Sequence, residues 1–271
     1  MPALPDAALA ARFARFAATK PRVILGSSSS SRRAIFDELV AAFPGLSYRV
    51  VTADIDEKAL RDPEPARLVT ALAHAKADAI VAKLAAAGSD GAGAANGAAE
   101  QQQPRAPASA PSKTSSYLVT CDQVVVHEGV ILEKPESADE ARAMIRGYTR
   151  DAPASTVGAV VVTRLPPPQE HSGGGEGAPR PSRREALEVC VVRMDPLPDE
   201  DVEALVAEGD VMWCAGGLMV EHARVAPRVA AIEGGGDDAV RGLGRATVAR
   251  LLCEAAEEEE EEEQAAGGGK R

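Results

Sequence analysis

"VILGSSSSSRRAIFDEL", residues 23–39, sets five consecutive serines between a short apolar run and two arginines. Val23 to Leu25 reads as a strand, and Arg32 to Phe43 as a helix whose Ile35, Leu39 and Phe43 repeat at fourfold spacing on one face. A strand, a loop of small residues and a helix beginning near Ser31 make an anion site in outline. The first N–H groups of a helix lack intrahelical partners and carry the positive end of its dipole. Small side chains admit a ligand close to the backbone, hydroxyls add donors, and the planar forks of Arg32 and Arg33 suit bidentate contacts to phosphate. The same residues also read as an N-cap followed by two solvated arginines, and no GK[ST] completes a Walker A loop. The neighbours have to decide.

Working outward, the pattern alternates. Tyr48 to Thr52 is extended, and Glu64 to Ala85 is the longest helix, with Leu68, Leu72, Ala75 and Ala79 along one face. Tyr117 to Thr120 and Val124 to Val126 follow as two strands. Ser137 is a plausible N-cap for a helix from Ala138 to Arg146, with Glu140 completing a capping box. The β-branched runs at 156–163 and 187–193 pair as an antiparallel hairpin, and helices near 198–207 and 244–255 close the chain. This mixture predicts α/β or α+β with a mixed sheet.

Of the 271 residues 45% are hydrophobic but only 3% aromatic, so alanine and valine carry the packing. The net charge is −11, yet eight glutamates against Lys270 and Arg271 put −6 of it in residues 254–271. What remains is mildly acidic, which excludes a nucleic-acid polymer as partner on bulk charge. Cys121, Cys190, Cys214 and Cys253 are too scattered for a zinc site and fit a reducing compartment. No apolar run approaches the ~18 residues of a membrane span. The expectation is a cytoplasmic protein with an N-terminal extension over 1–21, a catalytic domain over 22–253, loop insertions at 86–116 and 165–183, and a disordered acidic tail over 254–271.

The residues with chemistry stand at the edges of regular elements. "TADIDEK" places Asp54, Asp56 and Glu57 just past an extended segment, where they suit Mg²⁺ or Mn²⁺ or a solvated turn. "AHAKA" sets Lys76 among alanines, an arrangement usual for a solvent lysine. "LVTCDQVVV" embeds Asp122 between apolar runs, where an unpaired carboxylate costs several kcal/mol. Asp122 therefore needs a cation, a metal ion or an open sheet end. Lys134 precedes a proline that holds it extended. Two arginines, two lysines and several carboxylates suit a metal-bound polyphosphate, whose cleavage needs charge neutralisation and an oriented water.

In order, "VILGSSSSSRR", "VTADIDEKALR", "PARLVTALAHAKADAI", "TCDQVVVHEGVILEKPESADEARAMI", "CAGGLMVEH" and "DDAVRGLGRATVARLL" resemble the motifs of the Maf (septum formation-like) nucleoside triphosphate pyrophosphatases. The resemblance implies an α/β fold with a mixed central sheet of the Maf/inosine-triphosphatase type and two lobes around a substrate cleft. It implies cleavage between the α- and β-phosphates with a divalent cation, Mg²⁺ or Mn²⁺, and a homodimer. Carried over by position, Asp122 would activate water and contribute to the metal site with Glu57. Lys76 and Lys134 would neutralise developing charge, and Ser27, Arg32 and Arg33 would hold phosphates.

An extra residue before the arginine pair, Gln123 after Asp122, Glu221, and Cys214 before "AGG" resemble the branch acting on 7-methyl-GTP rather than on dTTP and UTP. A carboxylate at Glu221 near the cationic 7-methylguanine base accords with that reading. Two departures stand out: the family's closing "GLP" is "GLG" here, with Gly244 for proline, and "RDAPAST" replaces a Gly-His turn.

Overall fold

The computed structural model of the chain describes residues 4–89, 114–167 and 181–268. Most of both expected loop insertions lies outside the described residues. Within the expected N-terminal extension, residues 7–18 form helix α1 (Ala7–Ala18), capped by the Asp6 carboxylate, which accepts from Ala8 N–H at 2.8 Å. Phe13, Phe16 and Ala17 recur at helical spacing and are buried in the main core. Burying each phenyl contributes about 1.5–3 kcal/mol, so the helix packs firmly onto the core.

The next elements in order are β1 (Arg22–Leu25), α2 (Ser30–Ala42), β2 (Ser47–Val50), α3 (Pro65–Ser89), β3 (Ser116–His127) and β4 (Val130–Leu132). They are followed by α4 (Ala138–Gly147), β5 (Ala154–Leu165), β6 (Ser182–Met194), α5 (Asp199–Glu208), β7 (Val229–Glu233), α6 (Asp237–Val240) and α7 (Arg245–Gly268). The strands form one mixed sheet in the order β2-β1-β3-β5-β6-β7, with β4 on β3. β1 is parallel to both β2 and β3, and every other pairing is antiparallel, including the expected β5–β6 pair.

The two strands expected at 117–126 are one. β3 runs unbroken through Asp122, because β5 pairs with it from Ser116 to Val126 and supplies its hydrogen bonds. Its other edge is shared. β1 covers Ser116 to Val119 and β4 covers Val125 to His127, leaving the middle of that edge without a strand.

Two bodies of core flank this gap. On the β1 side, α1, α2 and α7 pack their apolar faces together with Val119, Cys121 and Val160. On the β4 side, α4 and α5 pack around Val125, Tyr148 and Met194. α3 lies over the opposite face through Leu68, Val69, Leu72 and Ala73. Its buried stripe also includes Lys76, Ala77 and Ile80, rotated from the expected Ala75 and Ala79.

Residues 254–268 are helical rather than disordered, because the glutamates of α7 meet arginines. Glu257 pairs with Arg12, Glu258 with Arg184 at 3.1 Å and Glu262 with Arg164 at 2.6 Å. Each pair offsets the self-repulsion that an isolated glutamate run would carry. Among the described residues, no helix is long and apolar enough to cross a membrane.

Candidate active site

β1 is followed by α2, leading to β2 on one side, while α3 returns the chain to β3 on the other. The carboxyl end of β1 is therefore a topological switch point, where open α/β sheets leave a crevice. Gly26 turns the chain there, and its N–H donates to Val119 O at 2.7 Å. A Cβ at Gly26 would stand 2.6 Å from Thr120 Cγ2 and 2.8 Å from Ile80 Cδ1, so only glycine lets this loop lie so close to β3.

The serines then divide their work. Ser29 is the N-cap of α2, its hydroxyl accepting from Arg32 N–H at 3.4 Å. Ser27 is buried, and its hydroxyl accepts from Ser29 N–H at 3.2 Å, which shapes the loop. Ser30 and Ser31 open the helix one residue earlier than the sequence reading expects. Arg32 crosses the gap in the sheet edge, donating from Nη1 to Cys121 O at 3.3 Å and from Nε to Gly242 O at 3.1 Å. Arg33 folds back on the loop, donating to Ser28 O at 3.3 Å.

On the other face of β3, Asp122 points toward α3. Lys76 Nζ lies 2.5 Å from Asp122 Oδ1 and 3.0 Å from Glu57 Oε1. Asp122 and Lys76 retain only 8% exposure each, so the pair lies largely away from bulk water. Burial pushes the Asp122 carboxyl above the ordinary carboxylate range, against the opposing pull of Lys76 and Arg32. The thirst of Asp122 for a cation, read from its apolar neighbours, is met by a lysine on the buried stripe of α3.

Gln123 faces the opposite way from Asp122 and donates from Nε2 to Ala239 O at 2.8 Å, tying β3 to α6. Glu221 lies 3.9 Å from Arg241 Nε. Lys134 stays apart. It is exposed, and among the described residues no hydrogen bond or ion pair links it to Asp122 or Lys76. Its charge is felt instead at Cys214, whose thiol burial and Glu221 push up to about 11 while Lys134 pulls the other way. Asp56 caps the short turn Glu57–Ala59 by accepting from Lys58 N–H at 3.0 Å, which presents Glu57 to Lys76.

The description "Maf-like protein" belongs to the family whose model matches residues 22–255, well over half of the chain. This chain belongs to the Maf-like family. It is similar to a 7-methyl-GTP pyrophosphatase of Dictyostelium discoideum, 30% identical across 75% of this chain and 83% of that protein. A dTTP/UTP pyrophosphatase of Salinibacter ruber is 28% identical over 78% of this chain and 80% of its own length. A nucleoside triphosphate pyrophosphatase of Streptomyces avermitilis is 27% identical over 86% and 90% respectively.

The departure of this Maf-like chain at Gly244 has a structural counterpart. Gly244 N–H donates to Glu188 Oε2 at 3.0 Å, and a Cβ there would stand 1.9 Å from Glu188 Oε1. A proline would lose the donor and meet the carboxylate. The glycine is fitted to Glu188 on β6, a relation invisible in the linear sequence.

Glu57 and Asp122 are the carboxylates that a divalent cation would meet here. Among the described residues no three His, Cys, Asp or Glu gather to hold an ion unaided. Glu57 and Asp122 instead converge from two elements on a single ammonium. Two carboxylates alone are too few to complete a shell, so an ion held here would keep several waters or ligand oxygens.

Proposed function

We propose that this Maf-like protein hydrolyses nucleoside triphosphates between the α- and β-phosphates, giving a nucleoside monophosphate and pyrophosphate, with 7-methyl-GTP as a preferred substrate. The observation that carries the reading is the buried Lys76–Asp122 pair beside the serine loop at the carboxyl end of β1. The three named relatives support the reaction class.

The triphosphate lies along the loop from Ser27 to Ser31, where free N–H groups at the α2 start and the forks of Arg32 and Arg33 receive it. Asp122 accepts the proton of a water whose oxygen attacks the α-phosphorus as the bond to the bridging oxygen breaks. A carboxylate held above its ordinary pKa is a better base for this step than a solvated one. Lys76 balances the charge that gathers on the phosphoryl oxygens, and Lys134 enters from the β4 side only once substrate spans the cleft. Glu57 and Asp122 would hold a Mg²⁺ or Mn²⁺ ion, which supplies charge neutralisation to the pyrophosphate. Glu221, near the base, favours the cationic 7-methylguanine over neutral bases.

The test is pyrophosphate release from 7-methyl-GTP, GTP, UTP and dTTP, with Mg²⁺ or Mn²⁺ and with EDTA. Release from all four at equal kcat/KM would reject the base preference. Undiminished release in EDTA would reject the cation, and no release at all would reject the activity.

A further inference from the structure

Thr120 stands in β3 between the stretches whose edge β1 and β4 cover, two residues before Asp122. It is fully buried, and residues two apart on a strand share a face, so Thr120 and Asp122 both meet α3. The Thr120 hydroxyl donates to Ala73 O at 2.9 Å, and Lys76, nearly one turn on, gives its ammonium to Asp122. Two cross-links thus run in parallel between the same helix and the same strand. A helix carbonyl already has the N–H four residues on as its partner, so Ala73 O does not need the threonine. Valine would fill the same space with no polar atom to satisfy. What the hydroxyl adds is a fixed length between helix and strand beside the reacting pair.

The methyl on the same Cβ serves the serine loop. A Cβ at Gly26 would stand 2.6 Å from Thr120 Cγ2, so the methyl takes the space beneath the turn that follows β1. Gly26 N–H donates to the carbonyl of Val119, the residue before Thr120. A β-branched side chain is stiff at χ1, which holds the hydroxyl and the methyl at one angle. The serine loop and the lysine helix are therefore both located against a single residue.

We propose that Thr120 is a positioning residue with two arms. Its hydroxyl sets the height of α3, and so of Lys76 beside Asp122, while its methyl props Gly26 and sets the serine loop. The inference deepens the proposed function and rests on the triphosphate lying along that loop. Apolar contacts are non-directional, whereas a hydrogen bond fixes both a distance and an angle. A misplacement of ~1 Å among reacting groups costs up to about 100-fold in rate. Loss of the hydroxyl therefore falls on the chemical step, and loss of the methyl on the binding of phosphates.

The experiment measures kcat, KM and Tm for the full chain and for Thr120→Val, Thr120→Ser and Thr120→Ala. The substrate is whichever of 7-methyl-GTP, GTP, UTP and dTTP the unaltered protein cleaves fastest. Thr120→Val keeps the methyl and is expected to lower kcat about 10-fold with KM within about twofold. Thr120→Ser keeps the hydroxyl and is expected to raise KM about fivefold with kcat within about twofold. Thr120→Ala should show both changes. A threonine that serves stability alone would lower Tm without dividing kcat from KM in this way. That result, or unchanged kinetics, would overturn the proposal. Should Thr120→Val fail to fold, Thr120→Ala is set against Thr120→Ser, and only alanine should lower kcat.

If the unaltered protein releases no pyrophosphate, calorimetric binding of α,β-methylene-GTP reads the methyl arm. Amide hydrogen exchange along α3 then reads the hydroxyl arm. Weaker binding in Thr120→Ser alone, with protection around Lys76 lost in Thr120→Val alone, would uphold the two arms while the hydrolytic reading falls. Any other pattern, including no binding by the unaltered protein, would overturn them.

Discussion

Lys76 Nζ and Asp122 Oδ1 meet at 2.5 Å, on a helix and a strand 46 residues apart, with each residue all but buried. Neither group is tolerable there alone, since an uncompensated buried charge costs several kcal/mol. Replacing Asp122 by asparagine keeps the shape and one acceptor oxygen while removing the base. Asp122→Asn is expected to lower kcat for triphosphate cleavage at least ~100-fold with little change in far-UV circular dichroism. Full turnover in the variant would remove Asp122 from the reaction.

The same pair sets a pH dependence. Asp122 is already raised by burial, and Lys76 is the first of the charges that hold it down. Removing the ammonium leaves burial less opposed, so in Lys76→Met the acid limb of kcat/KM should move to higher pH. The sign for stability follows from a folded carboxyl that binds its proton more tightly than the unfolded one. Its contribution is complete below the ordinary value of 3.8 and is lost as pH rises through the raised value. Lys76→Met should therefore depress Tm more at pH 8 than at pH 5. An equal depression at both would show that Asp122 does not titrate against Lys76.

How much of this was legible beforehand depended on whether the deciding contact was local. The serine loop, its arginines and the mixed sheet follow from short patterns: an apolar triplet, a capped helix, β-branched runs. Asp122 also declared its need for a partner by its apolar neighbours. Lys76 resembled a solvent lysine because its helix is rich in alanine, although its spacing from Leu72 and Ala73 places it on their face.

Other features left no local trace. The unpaired edge of β3 arises only when β1 and β4 take its two ends, and Thr120 is notable only beside Gly26 and Ala73. The N-terminal helix was hidden by composition, since Phe13 and Phe16 gain their meaning from Phe43 and Tyr117.

Gly244 offers a test of a long-range fit. Its N–H donates to Glu188 and its missing side chain leaves that carboxylate its place. Gly244→Pro is expected to destabilise the protein by about 2 kcal/mol or more, from the lost bond and the clash. Glu188→Ala added to Gly244→Pro removes the clash, so the double variant should melt above the single one. If Gly244→Pro melts with the unaltered protein, Glu188 has room to move and the fit is not restrictive.

The glutamate run of α7 makes the last prediction, because disorder and docking differ in what they do to Arg164. Arg164 is only 7% exposed at the end of β5, and Glu262 is its carboxylate partner at 2.6 Å. Glu259 accepts from the Tyr117 hydroxyl at 2.9 Å and also binds Ser115, while Glu258 accepts from Ser182 at 3.3 Å. Ser115 precedes β3 and Ser182 opens β6, so these glutamates grip the strand starts that follow the two expected insertions. Removing residues 257–271 would leave the Arg164 guanidinium buried without its carboxylate, at a cost on the order of 3 kcal/mol. For a domain of this size that lowers Tm by several degrees, about 2–4 °C per kcal/mol. Because Asp122 lies farther along β3, kcat at 25 °C should be unchanged. Arg164→Met in the truncated chain should restore part of the lost stability, since the charge no longer needs a partner. A truncated protein that melts with the full chain would mean that the glutamates are a solvated extension after all.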